Sequence, residues 1–545
     1  MNNLTIGKYL IESLRKIGLN DVFGIPGDYA LSFFNLMEEE GVNIVGTCSE
    51  QGAAFAADAY SRMNGIGALC VTYCVGGLNT INAVAGAYAE KAPLIVISGA
   101  PGVSECNSGY LLHHSIRDLD SQFNIFKEVT VASTQLKDPY TAPSEIDRVI
   151  KTCLAHKRPV YIELPRDMVH QKCSYPIREI DLAIYKDLSA TKEAIEEAVE
   201  IIKNSIKPVI IAGVEIRRYK LEEKFLDLLE STGFPYATTS LGKCVIEESH
   251  PQFIGTYMGK LGLEKVRNYI EEADSVIILG ALMTDTNLGT AQLDVSKTIY
   301  ATAYNLRIKN HCYRNVDLGD FIEGLAGELR NSRRPLIDTS EVVDKEAFEV
   351  APDNPITVNR FFKRLNRFIR PNDAIICDIG DSLFGSVNLK LPRNTIYLGP
   401  AFYTSMGYAV PAAIGVQIGN PDLRTIVIVG DGAFQMTGHE VSCCVKYGLK
   451  PIIFILNNKG YTTQRYLKEG SFNDINNWSY HLITKLVGGG LGLEVKTEEE
   501  LELAIEKADK NTDSFTIINM HTDKHDKSET LHRLTSIFST KLGCS

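Results

Sequence analysis

The chain has no apolar run approaching the ~20 residues that a membrane-spanning helix needs. Its opening stretch, MNNLTIGKYLIESLRKIGL, is amphipathic and charged throughout, without the apolar core of a secretory signal. There is no C-x-x-C pair. The twelve cysteines are scattered, and several sit in apolar runs (Cys70, Cys377, Cys443, Cys444). That usage predicts buried free thiols in a reducing cytoplasm. Basic charge is also short: 56 Lys and Arg face 67 Asp and Glu, a net charge of -11. Nucleic-acid backbones and anionic membrane surfaces attract basic proteins, so neither is expected as a main partner. No short-period repeat and no low-complexity segment is found.

What is present is ordinary for a soluble globular protein, with 44% hydrophobic and 23% charged residues. A length of 545 residues predicts three domains at about 100–200 residues each. Short apolar runs alternate with helical patterns. Buried strands are expected at Ala68–Thr72, Leu94–Ser98 and Val160–Glu163, then at Val209–Ala212 and Ser275–Leu279. Four more follow at Ala374–Asp378, Thr425–Val429, Pro451–Leu456 and Phe515–Met520. Leu78–Glu90 reads as one of the helices between them. This alternation predicts an α/β fold of doubly wound, largely parallel sheets. Two polar, charged stretches, Cys173–Lys192 and Arg330–Pro355, read as linkers. They divide the chain into 1–175, 190–335 and 355–545.

The strongest motif is IVGDGAFQMTGHE from Ile428, continuing to ILNNKGY at Ile455. A buried strand runs into Gly430-Asp431-Gly432, followed by Ala433. The glycines permit a tight turn and close backbone approach to an anion. A helix starting there would aim free N–H groups at a phosphate. Asn458 ends the next buried strand. Asp431, the Asn458 side chain and a nearby backbone carbonyl offer hard oxygen ligands, which suit an octahedral Mg²⁺ bridging two phosphate groups. Gly-Asp-Gly alone is a common turn; the strand and Asn-Asn at this spacing make it specific. Two further features read as decoys. Val487–Gly492 is glycine-rich but does not fit G-x-G-x-x-G. His439-Glu440 lacks the second histidine of a zinc-binding helix, and reads as helix surface or support around the site.

The first third holds three more constellations: Asp28 in the turn Gly24-Ile25-Pro26-Gly27-Asp28, Glu50 just before the small-residue helix Gly52–Tyr60, and the pair His113-His114. Each alone has a plain structural reading: a turn carboxylate, an acidic helix start that complements the dipole, and surface histidines. Together with the motif at Asp431, they resemble the thiamine diphosphate-dependent 2-oxo acid decarboxylases over essentially the whole chain. The stretches NAVAGAYAEKAPLIVISGAPG, LLHH, GDGAFQMTGHE and FNDINNW are most similar to the phenylpyruvate decarboxylase type.

The resemblance implies three domains: pyrimidine-binding, a middle doubly wound variant, and diphosphate-binding. It implies thiamine diphosphate and Mg²⁺ as cofactors, with Asp431, Asn458 and the Gly460 carbonyl on the metal. Glu50 is then the group that hydrogen-bonds the pyrimidine and drives formation of the ylid. Asp381, the Thr404 carbonyl and Met406 become cofactor contacts, Met406 as the wedge that keeps the cofactor folded. Asp28, His113 and His114 are implied in protonating the enamine. Histidine suits that stage because it titrates near neutral pH. Leu383, Thr463, Gln464 and Leu467 are implied around the substrate. Pyruvate and indolepyruvate decarboxylases carry glutamate where this chain has Gln464, and an amide cannot titrate. Asp285, beyond the strand Ser275–Leu279, reads more readily as a turn residue than as a site group. The implied reaction is non-oxidative decarboxylation of phenylpyruvate or indolepyruvate to the aldehyde. Pyruvate or branched-chain acids are alternative substrates. A carboligase is a rival, against which the His-His pair counts. A homodimer or homotetramer is implied, because this family builds its site between two subunits.

Overall fold

A computed structural model of the chain describes residues 4–106, 108–177, 184–288, 293–336 and 348–541. The two expected linkers lie partly outside them, at 178–183 and 337–347. Three α/β sheets follow one another along the chain. The first runs in the order Asn43–Gly46, Asp21–Gly24, Gly67–Val71, Leu94–Ala100, Val160–Pro165, Ala132–Gln135, with every pairing parallel. The third repeats that order: Ile396–Leu398, Asp373–Cys377, Arg424–Gly430, Ile452–Asn457, Thr516–His521, Leu491–Val495, again all parallel. The seven-stranded middle sheet is parallel from Thr298–Ala301 to Phe253–Thr256 and ends in antiparallel strands Asn305–Ile308 and His311–Arg314.

The interior strands form because their side chains are apolar on both faces. Leu94–Ala100 and Val160–Pro165 are buried at every position. Such runs suit a parallel sheet covered by helices on both sides. The expected helix Leu78–Glu90 is divided into a 3₁₀ turn, Leu78–Thr80, and an α-helix, Ile81–Ala89.

The first and third sheets share a core. The helix Glu50–Asn64 is capped at its start by Ser49, whose hydroxyl accepts the Gly52 N–H at 3.0 Å. It is rich in alanine and packs on the helix Ala409–Gly419 of the third part. Contact is close: a Cβ at Gly415 would lie 1.9 Å from the Ala56 carbonyl oxygen. Gly415→Ala would force the helices apart, at a cost of about 1–3 kcal/mol. Beside them, the buried Arg62 guanidinium donates to Asp58 at 2.8 and 3.0 Å and to Glu90 at 2.7 Å. Its guanidinium also lies 5.2 Å from the Tyr408 ring centre. Removing one member of such a buried network costs roughly 3–5 kcal/mol, because the partner charge is left unpaired. Among the described residues no helix is long and apolar enough to cross a membrane.

Candidate active site

In both six-stranded sheets the connections diverge between the second and third strands of the lateral order. Crevices at the carboxyl ends of strands form at such points. In the third sheet Asp378 follows one of these strands and Asp431 follows the other. In the first sheet the turn bearing Asp28 follows Asp21–Gly24.

Asp431 is 1% exposed. Its carboxylate accepts the Gly432 N–H at 2.8 Å and the Lys459 N–H at 2.6 Å. Burial pushes its pKa up to about 7, against the lowering by those N–H groups. Gly430 is extended, and the short helix begins at Asp431 itself, with Gly432 and Ala433 in its first turn. Asn458 is buried, and its Oδ1 has no hydrogen-bond partner among the described residues. Lys459 turns through φ 64° and Gly460 through φ 157°. A Cβ at Gly460 would lie 2.1 Å from the Asn473 carbonyl oxygen, so only glycine fits the turn. Buried Arg465 pins the same loop, donating to Glu469 at 3.0 Å and Asp474 at 2.8 Å. A buried carboxylate without a cation beside an unpartnered amide oxygen fits a hard divalent cation.

A buried Asp378 organises the turn around Met406. It accepts the Gly407 N–H at 3.1 Å and the Ala409 N–H at 2.9 Å, and burial pushes its pKa up to about 6. Thr404 takes φ 58°, unusual for a β-branched residue. Met406 is half-buried against the shared core. Asp381 directs its carboxylate to Ser528, accepting its N–H at 2.8 Å and its hydroxyl, and burial raises its pKa to about 6. Thr463, Gln464 and Leu467 lie on the helix Thr462–Leu467 that follows the Gly460 turn, with Gln464 exposed. Leu383 is 2% exposed within the third core.

Asp28, His113 and His114 come together, their ligand atoms all within 4.8 Å of one another. His113 Nε2 lies 2.7 Å from Asp28 Oδ2. The His113 ring stacks on Tyr29 at 4.5 Å, with the Tyr29 hydroxyl 3.2 Å from Nδ1. His114 takes φ 65°, and its buried Nδ1 has no partner among the described residues. Arg166 stands 3.8 Å from Asp28 and 5.0 Å from the Tyr29 ring centre. Glu50 is half-exposed, and Asn79 donates to it at 2.8 Å. Asp285, expected in a turn, instead opens the short helix Asp285–Leu288; it is exposed and accepts the neighbouring Thr286 N–H at 2.9 Å.

Sequence reasoning missed Asp378, Asn79, Tyr29 and Arg166. Asp378 was legible only as the polar end of an apolar strand; the others carry no local signal. Glu440, read from sequence as helix surface or support, is completely buried. A cavity of about 680 Å³ lies between the middle and third parts and one of about 560 Å³ where all three parts meet, and no candidate residue lines either one.

Comparison with known proteins agrees with this arrangement. Residues 4–125 match the thiamine pyrophosphate enzyme N-terminal TPP-binding domain, 195–311 the central domain and 378–520 the C-terminal TPP-binding domain. The chain is thus a thiamine diphosphate (pyrophosphate) enzyme. It is 36% identical over 541 residues to an indole-3-pyruvate decarboxylase of Azospirillum brasilense, covering 97% of both chains. It is 33% identical over 549 residues to pyruvate decarboxylase 1 of Pisum sativum, covering 97% of this chain and 92% of that one. A probable pyruvate decarboxylase of Schizosaccharomyces pombe is 32% identical over 551 residues, with 97% and 96% covered. The chain belongs to the thiamine diphosphate-dependent 2-oxo acid decarboxylases.

Proposed function

We propose that the protein releases CO₂ and an aldehyde from phenylpyruvate or indolepyruvate, with Mg²⁺ anchoring its thiamine diphosphate. The observation that carries this reading is the buried pair Asp431 and Asn458, one a carboxylate without an ion-pair partner and the other an oxygen without a hydrogen bond among the described residues. With the Gly460 carbonyl they would hold the metal, and the backbone of Gly430–Ala433 would hold the diphosphate. Thr404, Met406 and Asp381 would contact the rest of the cofactor. When bound, the cofactor supplies the electron sink for loss of CO₂.

The chain's own residues handle position and protons. Glu50 would present its carboxyl group to the pyrimidine, with Asn79 fixing the side chain. Met406 would press a flexible apolar side chain against the cofactor. Asp28 orients His113 through their 2.7 Å contact, and His113 with His114 supplies the proton that completes the aldehyde. Gln464 cannot titrate, so it shapes the pocket together with Leu383, Thr463 and Leu467. None of these four is a bulky aromatic, which favours the larger 2-oxo acids. The similarity to an indole-3-pyruvate decarboxylase supports the same preference.

In this reading 1–175 binds the pyrimidine, 190–335 is the middle unit and 355–545 binds the diphosphate. The site forms between 1–175 of one subunit and 355–545 of another in a cytoplasmic homodimer or homotetramer. Exposure of Asp28 and His113, and the partial exposure of Glu50, support a site completed by a second copy. Aldehyde release from a panel of 2-oxo acids, with and without thiamine diphosphate and Mg²⁺, tests the function. Cofactor-dependent release, with kcat/KM higher for phenylpyruvate or indolepyruvate than for pyruvate, is expected. A clear preference for pyruvate would overturn the substrate assignment, and ligation without aldehyde release would overturn the reaction.

A further inference from the structure

Two glutamates that the proposed chemistry does not use are fully buried between the first and third parts. Glu440 sits in the 3₁₀ turn Gly438–Glu440 of the third part, and Glu90 ends the helix Ile81–Ala89 of the first. Both are 0% exposed. Each reaches into the other part and grips a turn by its backbone.

Glu440 accepts the Cys48 N–H at 2.9 Å, the Ser49 N–H at 3.0 Å and the Ser49 hydroxyl at 2.8 Å. The Cys443 thiol donates to it at 3.5 Å. Approach is tight: a Cβ at Gly52 would lie 2.0 Å from Glu440 Oε1. Glu90 accepts the Phe402 N–H at 2.8 Å and the Tyr403 N–H at 2.9 Å, while its other oxygen takes Arg62. The two grips are reciprocal. Cys48-Ser49 immediately precede Glu50, and Phe402-Tyr403 immediately precede Thr404, with Met406 two residues further on.

We propose that Glu440 and Glu90 are paired positioning residues, each fixing the turn from which the other part of the chain presents a cofactor-contacting group. The inference rests on the roles given above to Glu50, Thr404 and Met406. Mere adhesion between the two parts would not need carboxylates here. Burying an ionised carboxylate is costly unless it is well hydrogen-bonded or paired, and apolar contacts already cover this interface. What a carboxylate adds is strength and direction: it binds two N–H groups at once, and charged acceptors hold roughly twice as strongly as neutral ones. Catalysis is sensitive to such placement, since an error of about 1 Å can cost ~100-fold in rate.

Glu440→Gln and Glu90→Gln, each in the intact chain reconstituted with thiamine diphosphate and Mg²⁺, separate positioning from adhesion. Glutamine keeps the volume but leaves only one accepting atom. At Glu440 one of the two turn N–H groups then loses its partner. At Glu90 one oxygen takes both turn N–H groups and the other takes Arg62, so an amide oxygen turned to Arg62 leaves both N–H groups without an acceptor. For Glu440→Gln we expect kcat to fall on the order of 10- to 100-fold at saturating 2-oxo acid, with parental cofactor affinity and fold. For Glu90→Gln we expect the cofactor dissociation constant to rise on the order of 10-fold, because its turn carries cofactor contacts. Amide hydrogen exchange should quicken at Cys48 and Ser49 in the first variant, and at Phe402 and Tyr403 in the second. Parental kcat in a Glu440→Gln protein whose Cys48 and Ser49 amides have lost protection would overturn the proposal. So would a fall in kcat that only tracks the unfolded fraction. Should Glu440→Gln fail to fold, Ser49→Ala removes one of the same bonds, together with the cap on the Gly52 N–H: a smaller fall in kcat at unchanged cofactor affinity is expected, and parental kcat refutes the idea. If the parental enzyme makes no aldehyde from any 2-oxo acid, the functional reading fails, while the exchange measurements still judge the grips.

Discussion

Strand for strand, the sheet containing Asp21–Gly24 and the sheet containing Asp373–Cys377 have the same order and the same parallel sense. Their carboxyl ends nevertheless carry opposite chemistry. At the first, Asp28, His113 and Glu50 are exposed or half-exposed, and the histidines are in contact with a carboxylate and a tyrosine. At the third, Asp378, Asp381, Asp431 and Asn458 are all at most 7% exposed, and their polar neighbours are mainly backbone N–H groups. Groups that exchange protons with a substrate need access to it. Groups that hold a cation and a diphosphate need rigid, dry oxygen donors. On the roles proposed, one scaffold would serve both because the loops at its strand ends, rather than its core, set the burial.

The sharpest way to break this comparison is to disable each side separately. Glu50→Gln should leave fold and cofactor binding near normal while turnover falls by ~10²–10⁴-fold, the usual contribution of an acid–base group. Asp431→Asn should instead lose Mg²⁺ and cofactor, as equilibrium dialysis would show. Near-normal turnover by cofactor-loaded Glu50→Gln would remove the first part from the chemistry.

The next test lies within the proton-handling group. His114→Ala should lose far more aldehyde formation than Gln464→Leu, because only the histidine can change its charge near neutral pH. The ordering of the two rates is what matters. A dead Gln464→Leu beside a near-normal His114→Ala would reverse the roles.

A smaller effect concerns Asp431 in the cofactor-free protein. Its folded pKa of about 7 is raised above the ordinary aspartate value. The folded state therefore binds its proton more readily than the unfolded chain does. The associated stability is fully present below the unfolded pKa and is lost as pH rises through about 7. The melting-temperature difference, parent minus Asp431→Asn, should grow as pH falls from about 8 to about 5. Saturating Mg²⁺ and thiamine diphosphate should stabilise the parent selectively and flatten this trend. A gap independent of pH in the cofactor-free proteins would contradict the burial argument.

Much of the fold was legible because the interior strands are continuous apolar runs. Ser275–Leu279 falls where the run places it, and the other eight expected strands agree within two residues at either end. Edge strands were hidden: His311–Arg314 and Leu491–Val495 each have a single fully buried position. The glycine-rich stretch Val487–Gly492 proved to be the entry to one such edge, with Gly488 and Gly490 at φ 77° and 95°. At the site, Asp431 and Asn458 could be read because their motif is local. The environment of Glu440 could not, because its partners Cys48 and Ser49 are distant in sequence and the packing of two parts brings them together. A carboxylate beside a histidine looks like helix surface until its burial is known.

The central claim is that the proton-handling ends of one subunit meet the cofactor-holding ends of another. Mixed dimers of Glu50→Gln and Asp431→Asn chains test it most directly. Each mixed dimer would contain one site carrying both substitutions and one carrying neither. Co-expression of the two inactive chains should therefore restore about a quarter of parental aldehyde formation, given random pairing into two-fold symmetric dimers. If the mixture stays as inactive as either variant alone, although mixed dimers are present, the two halves of the site belong to a single chain and the account is wrong.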